Sequence, residues 1–181
     1  MASPQKKRHA RSQATLVWWL GEYETATAGT EVLVNSTDIL GPESEPEPDT
    51  CLLILPEHGG QTWEDSDGYL NGAPELNAEV SWATESIDLH RKKSDYEKAG
   101  VREYIVAALR QQQVFWFVRR RGKFRDLVPG TGGLIRSEIF PGLWLDPDAL
   151  LRRDQKRLQA VLRQGLASAE HAAFVAKLEG K

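Results

Sequence analysis

An acidic residue inside a short apolar strand is costly to bury unless something compensates its charge, and this sequence places two of them in succession. Asp49 opens the run Asp49-Thr50-Cys51-Leu52-Leu53-Ile54-Leu55, and Glu79 lies within Leu76-Asn77-Ala78-Glu79-Val80-Ser81-Trp82. Both runs read as strands, so each carboxylate must meet an ion partner or a bound cation. The elements around them set the fold. Leu16, Trp19, Leu20 and Tyr23 fall at helical spacing and predict a helix from about Ala10 to Ala28, with Gly29 placed to stop it. Glu31 to Leu40 alternates and reads as a strand. Gly41 to Pro48 is a proline- and acid-rich connection with no regular structure.

From His58-Gly59-Gly60 to Asn71-Gly72 runs a long polar loop, and loops of that length in a compact domain usually have a function or move. Ser86 to Ala99 is predicted to be helical, closed by Gly100. Arg102 to Ala107 and Val114 to Arg119 then read as strands. A turn at Arg121-Gly122 and the segment Phe124 to Val128 complete a hairpin. Gly130-Thr131-Gly132-Gly133 turns the chain into Leu134 to Phe140. After Pro141-Gly142 come helices at Asp146 to Leu151, Lys156 to Gln164 and Ser168 to Leu178, with Asp154 and Ser168 as N-caps.

This order predicts an α/β (α+β) protein with a mixed sheet flanked by helices. The first three strands can pair as an antiparallel meander, and the helix after the third can cross over to a parallel fourth. The expected organisation is a disordered basic N-terminus at residues 1–9, one domain at 10–145 and a helical extension at 146–181. The strand Val114-Phe115-Trp116-Phe117-Val118 is apolar on both faces, so both need cover, from the C-terminal helices or from a partner chain.

Composition narrows the function. A chain of 181 residues suits one domain with a sizeable core, and its formal charge of −3 supplies no global field for nucleic acid. Basic residues cluster instead at Lys6-Lys7-Arg8, Arg91-Lys92-Lys93 and Arg119-Arg120-Arg121 with Lys123, which read as solvated faces or turns. The one cysteine, Cys51, sits in an apolar run and suits a reduced compartment. With no span-length apolar stretch and no apolar signal core, the expectation is a cytoplasmic protein away from membranes.

If the strands bearing Asp49 and Glu79 run antiparallel, their carboxylates come to the same end and can share one ion. Magnesium takes oxygen ligands, often only one or two carboxylates, and the Val80 carbonyl is a natural third protein ligand. A cation there polarises a phosphate and acidifies a water. Lys92, one turn beyond Asp88, brings a compact positive charge to the same place. Asp…Glu…Lys is a loose pattern, and on spacing alone ordinary surface or ion-paired roles account for Asp49, Glu79 and Lys92 more readily than a site does. Asp88 reads as a partner of the helix dipole or as a group orienting Lys92. His9, His58, His90 and His171 show no metal-ligand spacing, and the six tryptophans read as core or interface. The glycines at 130–133 follow no strand-to-helix junction and are not a phosphate loop.

Three stretches carry a resemblance. They are Pro48-Asp49 through Gly72-Ala73-Pro74-Glu75-Leu76, Glu79-Val80, Asp88-Leu89-His90, Lys92, Tyr96 and Ala99-Gly100-Val101-Arg102-Glu103-Tyr104; Arg136-Ser137-Glu138-Ile139-Phe140-Pro141-Gly142-Leu143-Trp144-Leu145-Asp146; and Gly165-Leu166-Ala167-Ser168 with Glu170-His171-Ala172-Ala173-Phe174-Val175. From about Thr15 onward the chain closely resembles the Uma family of proposed endonucleases, within the PD-(D/E)XK restriction-endonuclease-like superfamily. The resemblance implies an αβββαβ core followed by a C-terminal hairpin and helical tail, and a magnesium-dependent nuclease site in which manganese can substitute. It also implies a DNA substrate and a homodimer. Its acidic pair falls on Asp49 and Glu79. Ser81 occupies the usual lysine slot, and the lysine moves to the helix at Lys92, with Lys93 as the neighbouring candidate. His9 matches a histidine often found at the start of the first helix. Similar proteins usually carry an extra N-terminal segment, so the chain looks shortened. The alternative expectation is therefore an inactive relative serving as a nucleic-acid-binding or dimerisation module.

Overall fold

The computed structural model describes residues 7–36, 38–39 and 47–180. Helix α1 (Lys7–Thr25) buries Leu16, Trp19, Leu20 and Tyr23, the stripe that predicted it. It starts three residues before Ala10, so Lys7, Arg8 and His9 belong to the helix; residues 1–6 of the expected disordered N-terminus lie outside the described residues. Strand β1 (Thr30–Val34) ends where Asn35 turns to φ 51°, and the two-residue β2 (Asp38–Ile39) follows separately. The strand expected from Glu31 to Leu40 is thus two pieces. Most of the proline- and acid-rich connection lies outside the described residues.

Strand β3 (Thr50–Ile54) is buried along its whole length. The expected polar loop after it is not wholly irregular: a 3₁₀ turn at Pro56–His58 leads to β4 (Trp63–Glu64) and β5 (Leu70–Asn71), which pair with each other, and β5 pairs parallel with β2. Next come β6 (Leu76–Ser81), a helical segment whose first part (Ile87–Lys92) is a π-helix, α2 (Lys93–Ala99), and β7 (Glu103–Ala108). Gly100 closes α2 at φ 104°, the left-handed conformation expected of it. Strand β8 (Gln113–Arg120) turns through Arg121 and Gly122, both at positive φ, into β9 (Lys123–Asp126). Such a turn matches the twist of the strands it joins. The short β10 (Ile135–Arg136) and β11 (Trp144–Leu145) precede α3 (Pro147–Arg152), α4 (Gln155–Leu166) and α5 (Ala169–Leu178). Asp154 and Ser168 cap α4 and α5 by accepting the Arg157 and His171 N–H groups.

The main sheet has the order β1-β3-β6-β7-β8-β9. β1, β3 and β6 pair antiparallel, and β6 and β7 pair parallel across the helical crossover, as the strand order predicted. All six residues of β6 are buried, so helices cover both faces. On one face α1 and the C-terminal helices enclose Leu52, Leu76, Ala78, Ile105 and Trp116; Trp19 meets Trp116 edge-on at 6.1 Å. Close approach there is a matter of missing side chains. A Cβ on Gly165 of α4 would stand 2.1 Å from the Gly142 carbonyl. On the other face Tyr96, Tyr104, Val106, Phe117 and Phe124 form a second, aromatic core. The aromatic strand β8 is therefore covered from within the chain on both faces, with Phe115 left half-buried.

Glu103 ties the first core to the C-terminal half. Fully buried, it accepts hydrogen bonds from Trp116 Nε1 (3.2 Å), Ser137 Oγ (2.7 Å) and the Glu138 and Ile139 N–H groups (2.8 and 3.3 Å). Glu103→Ala strands these donors, each costing about 1–3 kcal/mol when buried and unpaired. We expect denaturant unfolding to show a loss of about 3 kcal/mol or more, with Glu103→Gln milder because it keeps an acceptor oxygen.

Candidate active site

Antiparallel pairing of β3 with β6 sets the site. The register ends with Thr50 opposite Ala78, so Asp49, the residue before β3, comes to the same sheet end as Glu79, near enough for the two carboxylates to act on each other. Alternation along β6 turns Leu76, Ala78 and Val80 toward α1 and leaves Asn77, Glu79 and Ser81 on the α2 side. Asp49 Oδ2 accepts the Val80 N–H at 2.7 Å, which fixes the carboxylate against the neighbouring strand. His9 Nε2 reaches the same oxygen at 3.4 Å from the first turn of α1. His58 and His171 lie elsewhere. His58 bonds the Leu178 carbonyl and His171 bonds Thr27 and the Leu166 carbonyl, both structural roles.

Lys92 is brought to Glu79. Its Nζ lies 2.6 Å from Glu79 Oε1 and 3.8 Å from Asp88 Oδ1. Lys93 goes elsewhere, its ammonium resting 3.5 Å from the centre of the Phe117 ring. Asp88 does more than face a helix dipole. It is buried, accepts from Thr84 Oγ1 at 2.7 Å, and flanks the Lys92 ammonium. The π-helical turn keeps this segment in place: the Asp88 carbonyl receives the Lys93 N–H, five residues on, and the Tyr104 hydroxyl at 3.1 Å. Single π-turns inside helices are frequently found at functional sites. Tyr96 supplies a second donor to Glu79 Oε1 at 3.1 Å, a role that its apolar-looking helix position did not announce.

Burial drives the electrostatics. It pushes the Glu79 carboxyl from its ordinary 4.5 to about 7, against the pull of Lys92. Burial also raises Asp49, partly offset by the Val80 N–H and by the nearby His9 and Lys92. Burial alone would lower Lys92, but the charge and hydrogen bond of Glu79, with Asp88 and Asp49 behind them, hold it above its usual value. Among the described residues, Asp49 Oδ1 and Glu79 Oε2 receive no protein hydrogen bond, so each carboxylate keeps an oxygen for a cation. No cluster of three or more His, Cys, Asp or Glu arranged to hold a metal is found among the described residues. Two carboxylates are as many as magnesium usually takes from a protein, so Asp49 and Glu79 are the residues here that could hold such an ion.

Glu75 has a structural role that its place in the sequence does not signal. Its carboxylate accepts the Ile54 and Gln61 N–H groups at 2.9 and 3.1 Å, closing the far end of β3. Trp63, expected in a core or interface, is 57% exposed on the β4–β5 hairpin.

A mixed sheet with this strand order, helices on both faces and two carboxylates at one sheet end define a restriction-endonuclease-like protein. Residues 1–148 match the Uma2 family, described as "Putative restriction endonuclease", and the chain belongs to that family. The matched region extends upstream of Thr15 and ends before the Gly165–Val175 stretch. The fold is similar to a crystal structure from Anabaena variabilis described as "a putative nuclease belonging to DUF820". The TM-score is 0.58 at 14% identity, over 83% of this chain and 84% of that one. At that identity the likeness carries the fold alone. No curated protein matches the chain. Among the described residues no helix is long and apolar enough to cross a membrane.

The raised Glu79 carboxyl has a measurable consequence. A carboxyl that holds its proton more tightly in the folded state stabilises the fold fully below its ordinary 4.5 and loses that contribution as pH rises through about 7. Glu103, pushed by burial to about 7, acts with the same sign. Metal-free protein should lose stability between pH 4.5 and 7, and Glu79→Gln should flatten part of that slope. Thermal melts across the window check it; an unchanged slope in the variant would show that Glu79 is ionised throughout.

Proposed function

We propose that this chain is a metal-dependent DNA endonuclease that hydrolyses phosphodiester bonds. The observation that supports this best is the contact of Lys92 Nζ with Glu79 Oε1, at 2.6 Å, beside the carboxylate of Asp49. Asp49 and Glu79, with the Val80 carbonyl, would hold magnesium, and manganese can take its place. When bound, such an ion polarises the phosphate and acidifies a water.

The protein's own groups do the rest. Asp49 is held against β6 by the Val80 N–H, which limits how its carboxylate can turn and leaves its other oxygen for the ion. Glu79 is kept by Tyr96 and Lys92 on one oxygen, leaving the other for the ion. Lys92 is held charged between Glu79 and Asp88, where it orients the attacking water and offsets negative charge building on the phosphate. Asp88 and Thr84 position that ammonium without touching the substrate.

Lys92→Ala should abolish magnesium-dependent cleavage of duplex DNA; because it also removes the charge partner of the buried Glu79, it should lower the melting temperature, and cleavage is measured below that temperature, where circular dichroism shows the variant folded. Glu79→Ala should likewise abolish cleavage and also weaken manganese binding in calorimetry. Lys93→Ala should retain cleavage. Wild-type protein that binds the ion and cuts no DNA would establish the inactive module instead.

A homodimer, implied by the family resemblance, would use the apolar edge where Phe115 is half-buried and Val128 is 69% exposed. Sedimentation at micromolar concentration giving only monomer would remove that assignment. We place the protein in the cytoplasm, since its one cysteine is buried in β3 and suits a reducing compartment.

A further inference from the structure

Four arginines from two distant parts of the sequence meet at the sheet end that carries the carboxylates. Arg8 and Arg11 lie one helical turn apart on α1 and share a face of it. Arg152 ends α3, and Arg153 follows in the left-handed conformation, φ 57° and ψ 39°. That conformation costs a non-glycine residue about 1–2 kcal/mol, and here it gives two consecutive arginines to one surface. Arg152 and Arg153 line two adjoining clefts of about 280 and 320 Å³, with Arg8 in the first and Arg11 in the second.

The clefts border the candidate site. Leu109 lines the first, and its N–H bonds the Ser81 carbonyl at 2.8 Å, two residues beyond Glu79. Arg8 stacks 5.0 Å over Trp82, the next residue along. His9, adjacent to Arg8, is the residue that reaches Asp49. Among the described residues Arg8, Arg11 and Arg153 have no carboxylate partner, and Arg152 pairs only with Asp148. Both members of that pair are more than 70% exposed, so the pair is easily exchanged for another anion. In a chain of net charge −3, four exposed guanidinium groups concentrated at one sheet end make a local positive field.

We propose that this arginine surface, Arg8, Arg11, Arg152 and Arg153, grips the phosphate backbone of duplex DNA and leads the strand to the Asp49–Glu79 pair. The inference rests on the nuclease reading for its choice of polyanion. Guanidinium forks match phosphate oxygens in pairs, and such contacts set register and affinity without reading sequence.

The test uses full-length protein in chelator, so that binding is measured without cleavage. A fluorescent DNA duplex is titrated across a range of salt. Taking away one arginine–phosphate pair lowers the slope of log affinity against log salt by about 0.9. The double variant Arg11→Gln, Arg153→Gly should therefore reduce the slope by about 1.8; glycine suits the left-handed position, so the turn survives. With metal restored, the same variant should raise KM and keep kcat. The control Arg121→Gln, Arg125→Gln removes equal charge beside β9, which pairs with the far half of β8 from Gln112, and should leave the slope in place. An unchanged slope in the first variant, or an equal loss in the control, overturns the inference, as does a wild type that binds RNA duplex but no DNA. A wild type that binds DNA through these arginines and cuts none supports the surface while refuting the nuclease.

Discussion

Burial of the Glu79 carboxylate is the constraint that organises the functional half of the molecule. The strand that carries it has no exposed residue, so its charge must be met from the helical crossover above it. That crossover delivers Lys92 and Tyr96 to one oxygen, and Asp88 and Thr84 hold Lys92 in place. The aromatic core beside it then serves two purposes. Tyr104 packs against Tyr96 at 5.0 Å and sends its hydroxyl to the Asp88 carbonyl. Packing on this face therefore fixes the same π-turn that positions the ammonium. Removing one partner would leave a buried charge uncompensated, a change that usually costs more than the pair contributes when intact.

Much of the fold was legible because its signals are local. Apolar stripes gave α1, alternation gave β8, and Asp154, Ser168 and Gly100 marked helix ends by backbone chemistry that depends on a few neighbouring residues. The meander and parallel crossover followed from connection lengths. Failures came where short-range preference was weak. The β4–β5 hairpin is two residues long on each side, beneath what alternation can reveal. The break after Val34 depends on Asn35 adopting a left-handed conformation, which asparagine tolerates but does not announce.

The site divides in the same way. Asp49 and Glu79 were legible as costly acids in apolar strands, Lys92 through its spacing from Asp88 and the family resemblance, and the antiparallel register brings the two acids to one sheet end. Choosing Lys92 over Lys93 by four-residue spacing agrees with the geometry, since Lys93 lies on the Phe117 ring. Tyr96, Thr84 and Glu75 were not legible as partners. A tyrosine in an amphipathic helix looks like core, and this one is core at its ring and polar only at its hydroxyl. Glu75 sits beside Leu76 and reads as an ordinary strand boundary until the chain brings Ile54 and Gln61 to it. Long-range hydrogen bonds of this kind have no sequence period.

The two faces of the sheet differ in what they can tolerate. On the α1 side the packing of β3 and β6 is apolar and depends on volume: Leu52, Leu76 and Ala78 meet Leu16, Trp19 and Leu20 in one core. On the α2 side Asn77, Glu79 and Ser81 need particular donors and acceptors, so substitution there is judged by partners more than by size. Sequence drift in a protein of this design should therefore be freer on the α1 face, where a changed side chain can be answered by a neighbour. The polar face has no such freedom. Its hydrogen bonds and ion pairs run from strand to helix to the next strand, through Glu79, Tyr96 and Lys92, then Asp88 and Tyr104. A single α-helical turn in place of the π-turn would move Asp88 and Lys92 relative to each other, and with them the ammonium that Glu79 requires.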